Sequence, residues 1–120
     1  MPFSIDTSQA IPVVYLEGRF LGSLEREAFH AMLGECREAG SHRIIVDFSR
    51  TDFIDSSGIG ALIGGLNTMR TLGGDIRLAG MHQRIKNIFL MSRLLGSVFE
   101  QFENAEHAAL SYDKDAKVAL

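Results

Sequence analysis

Apolar residues change their spacing along the chain, and the changes divide it into alternating kinds of element. Ile11 to Leu16, with Val13, Val14 and Tyr15, is a short β-rich run bounded by Gly18 and Gly22. Proline donates no ladder hydrogen bond, so Pro12 belongs at a strand start or on an edge. Leu24, Ala28, Met32 and Cys36, flanked by Phe29 and Leu33, then recur at helical spacing. Ser23 is the expected cap of that helix, Glu25 and Glu27 sit near its positive end, and Gly40 is a left-handed stop. Ile44-Ile45-Val46-Asp47-Phe48 is nearly continuous, the pattern of a parallel strand covered on both faces. Ser49 to Asp52 reads as a loop, after which Phe53-Ile54 lead into a second helical stripe. That stripe is Ile59, Leu62, Ile63, Leu66 and Met69, and it stops at Gly73-Gly74. Ile76 to Ala79 predicts another strand. Ile85, Ile88 and Phe89, with Ser92 or Leu95, predict a third helix closed by Gly96. Val98 to Phe102 is a last strand, Ala105 to Tyr112 a last short helix, and residues 113–120 a flexible tail. Strands alternating with helices imply an α/β domain with a largely parallel sheet and right-handed crossovers. The stripes are single-sided, which puts about four helices largely on one face.

Composition narrows the functional classes. A chain of 120 residues fits one domain, and 46% apolar against 22% charged residues marks it as globular. The lone Cys36 cannot form an internal disulfide, so nothing points to an oxidising compartment. With 12 basic and 15 acidic side chains the formal charge is −3, without the basic footprint of a nucleic-acid binder. No apolar run approaches the roughly 20 residues that cross a bilayer, and Met1 to Asp6 lacks the basic and apolar regions of a signal peptide. A cytoplasmic domain with no membrane span is expected. His30, His42, His82 and His107 have no metal-ligand spacing and no Cys-x-x-Cys to join them, so they read as surface or helix-flank residues. Neither a metal nor a cofactor is expected. Cys36 reads as a small buried hydrophobe, Met69, Met81 and Met91 as core or interface filler, and Asp47 as a structural hydrogen-bonding group.

The segment Asp52-Phe53-Ile54-Asp55-Ser56-Ser57-Gly58-Ile59-Gly60 carries the most chemistry. It places two hydroxyls at the start of a helix, where the first N–H groups lack intrahelical partners and carry partial positive charge. Four readings fit this pattern to different degrees. Asp55 or Ser56 is a plain N-cap. Gly58-x-Gly60 opens a dinucleotide-binding turn, although Ile63 occupies the place of its third glycine. A serine-hydrolase elbow needs glycine two residues before the nucleophile, and Ile54 and Asp55 stand at those offsets. The last reading is a phosphoacceptor serine that switches a binding surface. Gly58, Gly60 and Gly64-Gly65 weaken a helix by about 1 kcal/mol each relative to alanine. They imply close approach of either the sheet beneath or a partner above, whose affinity nearby exposed apolar residues would supply.

The element Asp55-Ser56-Ser57-Gly58-Ile59-Gly60, preceded by the strand Ile44 to Phe48 and the stretch Ser49 to Ile54, resembles the anti-sigma factor antagonists of the STAS domain superfamily. The resemblance continues through Gly73 to Ala79, Ile85 to Leu94, Phe99 to Glu103 and Ala105 to Leu110. It implies a small mixed sheet with helices largely on one side. It also implies that Ser56 is phosphorylated by a cognate anti-sigma factor with ATP-dependent serine-kinase activity. The unmodified form would bind that partner and free the sigma factor, and a PP2C-type phosphatase would reset the switch. Asp55, Ser56, Ser57, Gly58, Ile59 and Gly60 are then the expected partner-binding residues. The chain departs from the family where Gly-Glu-Leu-Asp is often found, having Gly18-Arg19-Phe20-Leu21 instead. The acidic group expected near the phosphoacceptor is therefore replaced by Leu21.

Elementary electrostatics gives such a switch its sign. A phosphate adds about −1.5 to −2 charge and is tolerated at a helix N-terminus, so the fold should survive. Against an acidic group of a docked partner about 7 Å away, each unit pair costs roughly 2 kcal/mol at an effective dielectric of 20. About 1.4 kcal/mol is a factor of ten in affinity, so one such clash releases a partner. The expectation is a non-enzymatic regulatory binding domain, with self-association into a homodimer left open. The alternative is a STAS scaffold or transporter-accessory subunit whose Ser56 only caps a helix. An enzyme using Ser56 as nucleophile lacks a histidine base at a recognisable spacing.

Overall fold

In the computed structural model, which describes residues 3–91 and 98–118, the strands lie side by side in the order of the chain. The elements are β1 (Phe3–Asp6), β2 (Val13–Phe20), α1 (Gly22–Glu38), β3 (Arg43–Ile54), α2 (Ser56–Thr71), β4 (Asp75–Ala79), α3 (Gln83–Met91), β5 (Gln101–Phe102) and α4 (Ala105–Val118). β1 pairs antiparallel with β2, and the pairs β2–β3, β3–β4 and β4–β5 are parallel, giving the mixed and mostly parallel sheet the sequence predicts.

Sequential parallel strands joined by crossovers of one hand carry their helices on one face. α1, α2 and α3 accordingly pack together against Val14, Leu16, Ile44, Val46, Phe48, Ile76 and Leu78. Side chains alternate across a strand, so Val13, Ile45 and Ala79 face the other way, where Ala108 and Tyr112 of α4 cover them. Three helices on one face and one on the other is the observed balance. The larger core holds two edge-to-face groups of rings, Phe3 and Phe20 on Phe29, and Phe48 and Phe99 on Phe89.

Several element boundaries differ from expectation. β1 has no counterpart in the sequence pattern, because four residues hold too little periodicity. It covers the flank of β2, which makes β2 an interior strand, and Pro12 precedes β2 with its carbonyl accepting from Ile45 N–H at 3.0 Å. Ser49 to Asp52 is strand and not loop, since β3 runs unbroken to Ile54 alongside β2. Ser23 does not cap α1: the N-cap is Leu21, whose side chain accepts nothing. Leu24 leaves the apolar stripe and is 72% exposed, while Phe29, Met32, Leu33 and Cys36 are buried. Gly40 does take the left-handed conformation, φ 91°, after α1. β5 is shorter than expected, although Leu78 N–H still donates to Glu100 O at 3.0 Å. The last helix passes Tyr112 and continues to Val118, so residues 113–118 of the expected tail are helical, and residues 119 and 120 lie outside the described residues. Ser92, Leu95 and Gly96 lie outside the described residues.

Candidate functional site

β2 and β3 run parallel and finish level with each other, Phe20 beside Ile54. The helices that follow them, α1 and α2, therefore begin side by side at one end of the sheet. Two positive helix ends meet there, with N–H groups that need acceptors. A single carboxylate serves both. Asp55 Oδ1 accepts from Gly58 N–H at 2.6 Å, capping α2, and from Gly22 N–H at 3.0 Å, at the first turn of α1. The second bond supplies to α1 what Leu21 cannot, and no local spacing rule reveals it, because the partners are 33 residues apart.

The backbones approach so closely that side chains are excluded. A Cβ on Gly22 would lie 2.1 Å from the Ser57 carbonyl carbon, and one on Gly58 2.7 Å from Phe20 O. What comes near Gly58 is thus the chain's own β2 end, and Gly58 and Ile59 are buried. Gly60 and Gly64 face α1: their open sides receive the Arg26 guanidinium and the His30 ring, and His30 Nε2 lies 2.9 Å from Ala61 O. Gly65 lies under Leu33 of α1 and Ile76 of the sheet. The glycines of α2 thus serve helix–helix and helix–sheet contact.

What this end of the molecule offers outward is small and polar. Ser56 and Ser57 are exposed, and Asp55 and Gly60 are partly so. Neither serine hydroxyl has a hydrogen-bond partner among the described residues, since the capping work is done by Asp55. Beside them opens a cleft of about 490 Å³ lined by Gly22, Ser23, Leu24, Arg26, Glu27 and Ser57. Leu24 is an exposed apolar group at its edge. The six residues singled out in the sequence thus lie together at the start of α2, with the two serines the most accessible of them.

Other candidates lie elsewhere. Asp47 is buried and accepts from Ser49 N–H at 2.7 Å, the structural role expected of it. His82 Nε2 lies 2.7 Å from Thr51 O and His107 lies near Glu103, and among the described residues no cluster of His, Cys, Asp or Glu could hold a metal ion. Burial, then the charge of Glu35, pushes the Cys36 thiol above its ordinary range, which keeps it protonated. Met69 and Met81 are core residues and Met91 is 85% exposed. The sequence pattern does not single out Arg77, which is buried in β4 with its guanidinium 4.1 Å from the Tyr112 ring centre and its Nε 3.1 Å from Asp75. An arginine amid the apolar Ile76 and Leu78 is the available signal.

Among the described residues no helix is long and apolar enough to cross a membrane. The chain is 24% identical over 112 residues to the Bordetella bronchiseptica protein "Putative anti-sigma factor antagonist BtrV", an alignment covering 93% of this chain and 95% of that one. Its fold matches the Bacillus cell fate determinant SpoIIAA in the phosphorylated form, with TM-score 0.69 and 23% identity over 92% of this chain and 98% of that one. It also matches a variant of Moorella thermoacetica RsbS, with TM-score 0.80 and 15% identity over 98% and 99% of the two chains. The same architecture forms 18% of the murine anion transporter Slc26a9, where TM-score is 0.63 and identity 22% over 87% of this chain. At such identities the structural likeness establishes the fold. The STAS domain profile matches residues 3–109, nearly the whole chain, and this protein belongs to the STAS domain family.

Proposed function

We propose that this chain is a phosphorylation-switched regulatory binding domain of the anti-sigma factor antagonist kind, acting by binding and not by catalysis. Its unmodified form binds an anti-sigma factor that is also a serine kinase, so releasing the sigma factor; phosphorylation of Ser56 ends that binding, and a PP2C-type phosphatase restores it. The observation that carries this reading is the exposed Ser56, whose hydroxyl is left unused because Asp55 does the capping. BtrV is named as such an antagonist and SpoIIAA is known in a phosphorylated form, which supports the reading. The chemistry fits it too. A phosphate there meets two helix N-termini and leaves the buried contacts of Gly22 and Gly58 untouched. Binding is lost by charge against the partner, while the fold is retained.

The test uses the full chain with Ser56→Ala and Ser56→Asp. Ser56→Ala should retain from native lysate a partner that, given ATP, phosphorylates the wild-type chain and not Ser56→Ala. Ser56→Asp should retain none. Equal capture by both variants, with no phosphoryl transfer, overturns the reading in favour of a scaffold or transporter-accessory subunit. The murine transporter's shared architecture makes that the second reading.

A further inference from the structure

Arg26 takes no part in capping either helix. It projects from the second turn of α1 across α2, where its Nη2 lies 3.2 Å from the point a Gly60 Cβ would occupy. Any side chain at position 60 would press on the guanidinium. No carboxylate among the described residues pairs with it. Gly60 follows Ser56 by four residues, so the two stand one turn apart on one helix face, about 5–6 Å between Cβ positions. Cβ bonds tilt toward the helix N-terminus, so the spot above Gly60 lies on the Ser56 side of it. Ser57 and Arg26 also line the same cleft.

We propose that Arg26 is the intramolecular counter-ion of a phosphate on Ser56, drawing it down over Gly60 into the groove between α1 and α2. The inference rests on the function proposed above and specifies its modified state. The need for such a cation is local. A dianionic phosphate on Ser56 stands next to the Asp55 carboxylate, and Glu27 lines the neighbouring cleft that Ser57 and Arg26 share. Asp55 is held by the N–H groups of Gly22 and Gly58 and cannot withdraw. A guanidinium presents paired donors in the geometry a phosphate accepts, and it remains charged throughout the phosphate's titration. Arg26 is thus a positioning residue, and Gly60 leaves the space in which it lies.

The experiment installs phosphoserine at position 56 during synthesis of the full chain and follows its ³¹P resonance through a pH titration. In the chain with Arg26 the second pKa of the phosphate should lie about half a unit below that in Arg26→Gln. Arg26→Lys should recover part of the difference, and about 0.5 M salt should shrink it, salt screening exposed pairs. Equal titration in all three chains overturns the inference. So does dependence on Arg26 when phosphoserine sits at 57 and not at 56. Arg26 is exposed, so its variants should fold, which circular dichroism checks. Because the phosphate is built in, the result is independent of any kinase. A chain that holds its phosphate on Arg26 but is never modified in the cell would keep this inference and remove the function proposed above.

Discussion

Where α1 and α2 begin, main chain lies against main chain and one carboxylate joins them, whereas on the α4 face the contacts are made by side chains. Gly22 and Gly58 let main chain touch main chain, and Asp55 ties the two helix starts with one oxygen. On the other face Tyr112 lies under Arg77, donates its hydroxyl to Ile44 O at 2.8 Å, and is 1% exposed. Arg77 in turn reaches Asp75 and Ser111. The difference bears on function. A joint built from backbone leaves its outward side chains free of structural duty, so Ser56 can change charge without loosening it. A joint built from side chains has none to spare.

The sharpest way to break this contrast is Gly22→Ala. Its methyl group would meet the Ser57 carbonyl far inside van der Waals contact and force α1 off α2. A loss of about 3 kcal/mol or more is expected in urea unfolding, because backbone cannot yield as a side-chain tip can. Asp55→Ala comes next, at about 2–3 kcal/mol, since it strands two N–H groups that bond to a charged acceptor. Asp55→Asn keeps the oxygen and should lose clearly less.

On the α4 face, Tyr112→Phe should cost about 1 kcal/mol by removing the hydroxyl's hydrogen bond to Ile44 O. It should also change the response to alkali. Burial holds the Tyr112 phenol above its ordinary range, helped by Asp75 and opposed by the positive charges of Arg77 and Arg43. A raised pKa in the folded state means the contribution is full below about pH 10, where the unfolded phenol titrates. It is lost as pH climbs from there through the folded value. The unfolding free energy of the wild type should therefore fall more steeply above about pH 10 than that of Tyr112→Phe, as measured by denaturant titration at each pH. Smallest of all, Ser56→Ala and Ser56→Asp should stay within about 0.5 kcal/mol of wild type. A larger change would mean that the serine carries structure after all.

The contrast also explains what the sequence can tell. Strand and helix periods report burial, and they place the central strands, the stripe of α2 and the position of the Asp55 turn. They say nothing about where two helix starts meet. Gly22 reads as a strand terminator, and only the folded chain shows it against Ser57. Leu24 satisfies the helical spacing yet faces solvent, because α1 tips its first turn onto α2 through Gly22 and leaves nothing to cover that side. β3 reads as interrupted because Ser49, Arg50 and Asp52 are polar; they are strand because β2 pairs beyond the reach of α4, where polar outward residues are tolerated. Tyr112 reads as a helix end, and its burial under Arg77 depends on a contact between β4 and α4 that no local pattern encodes.

The doubly bonded carboxylate has a consequence for how this segment is interpreted wherever it occurs on the same scaffold. Asp55 and Gly58 are used by the masonry itself, one bonding both helix starts and the other lying against Phe20 O, whether or not anything is ever attached to the chain. Their presence therefore testifies to architecture. The mark of the proposed regulation would be narrower: one hydroxyl facing water, with a guanidinium, unpaired among the described residues, one helix away.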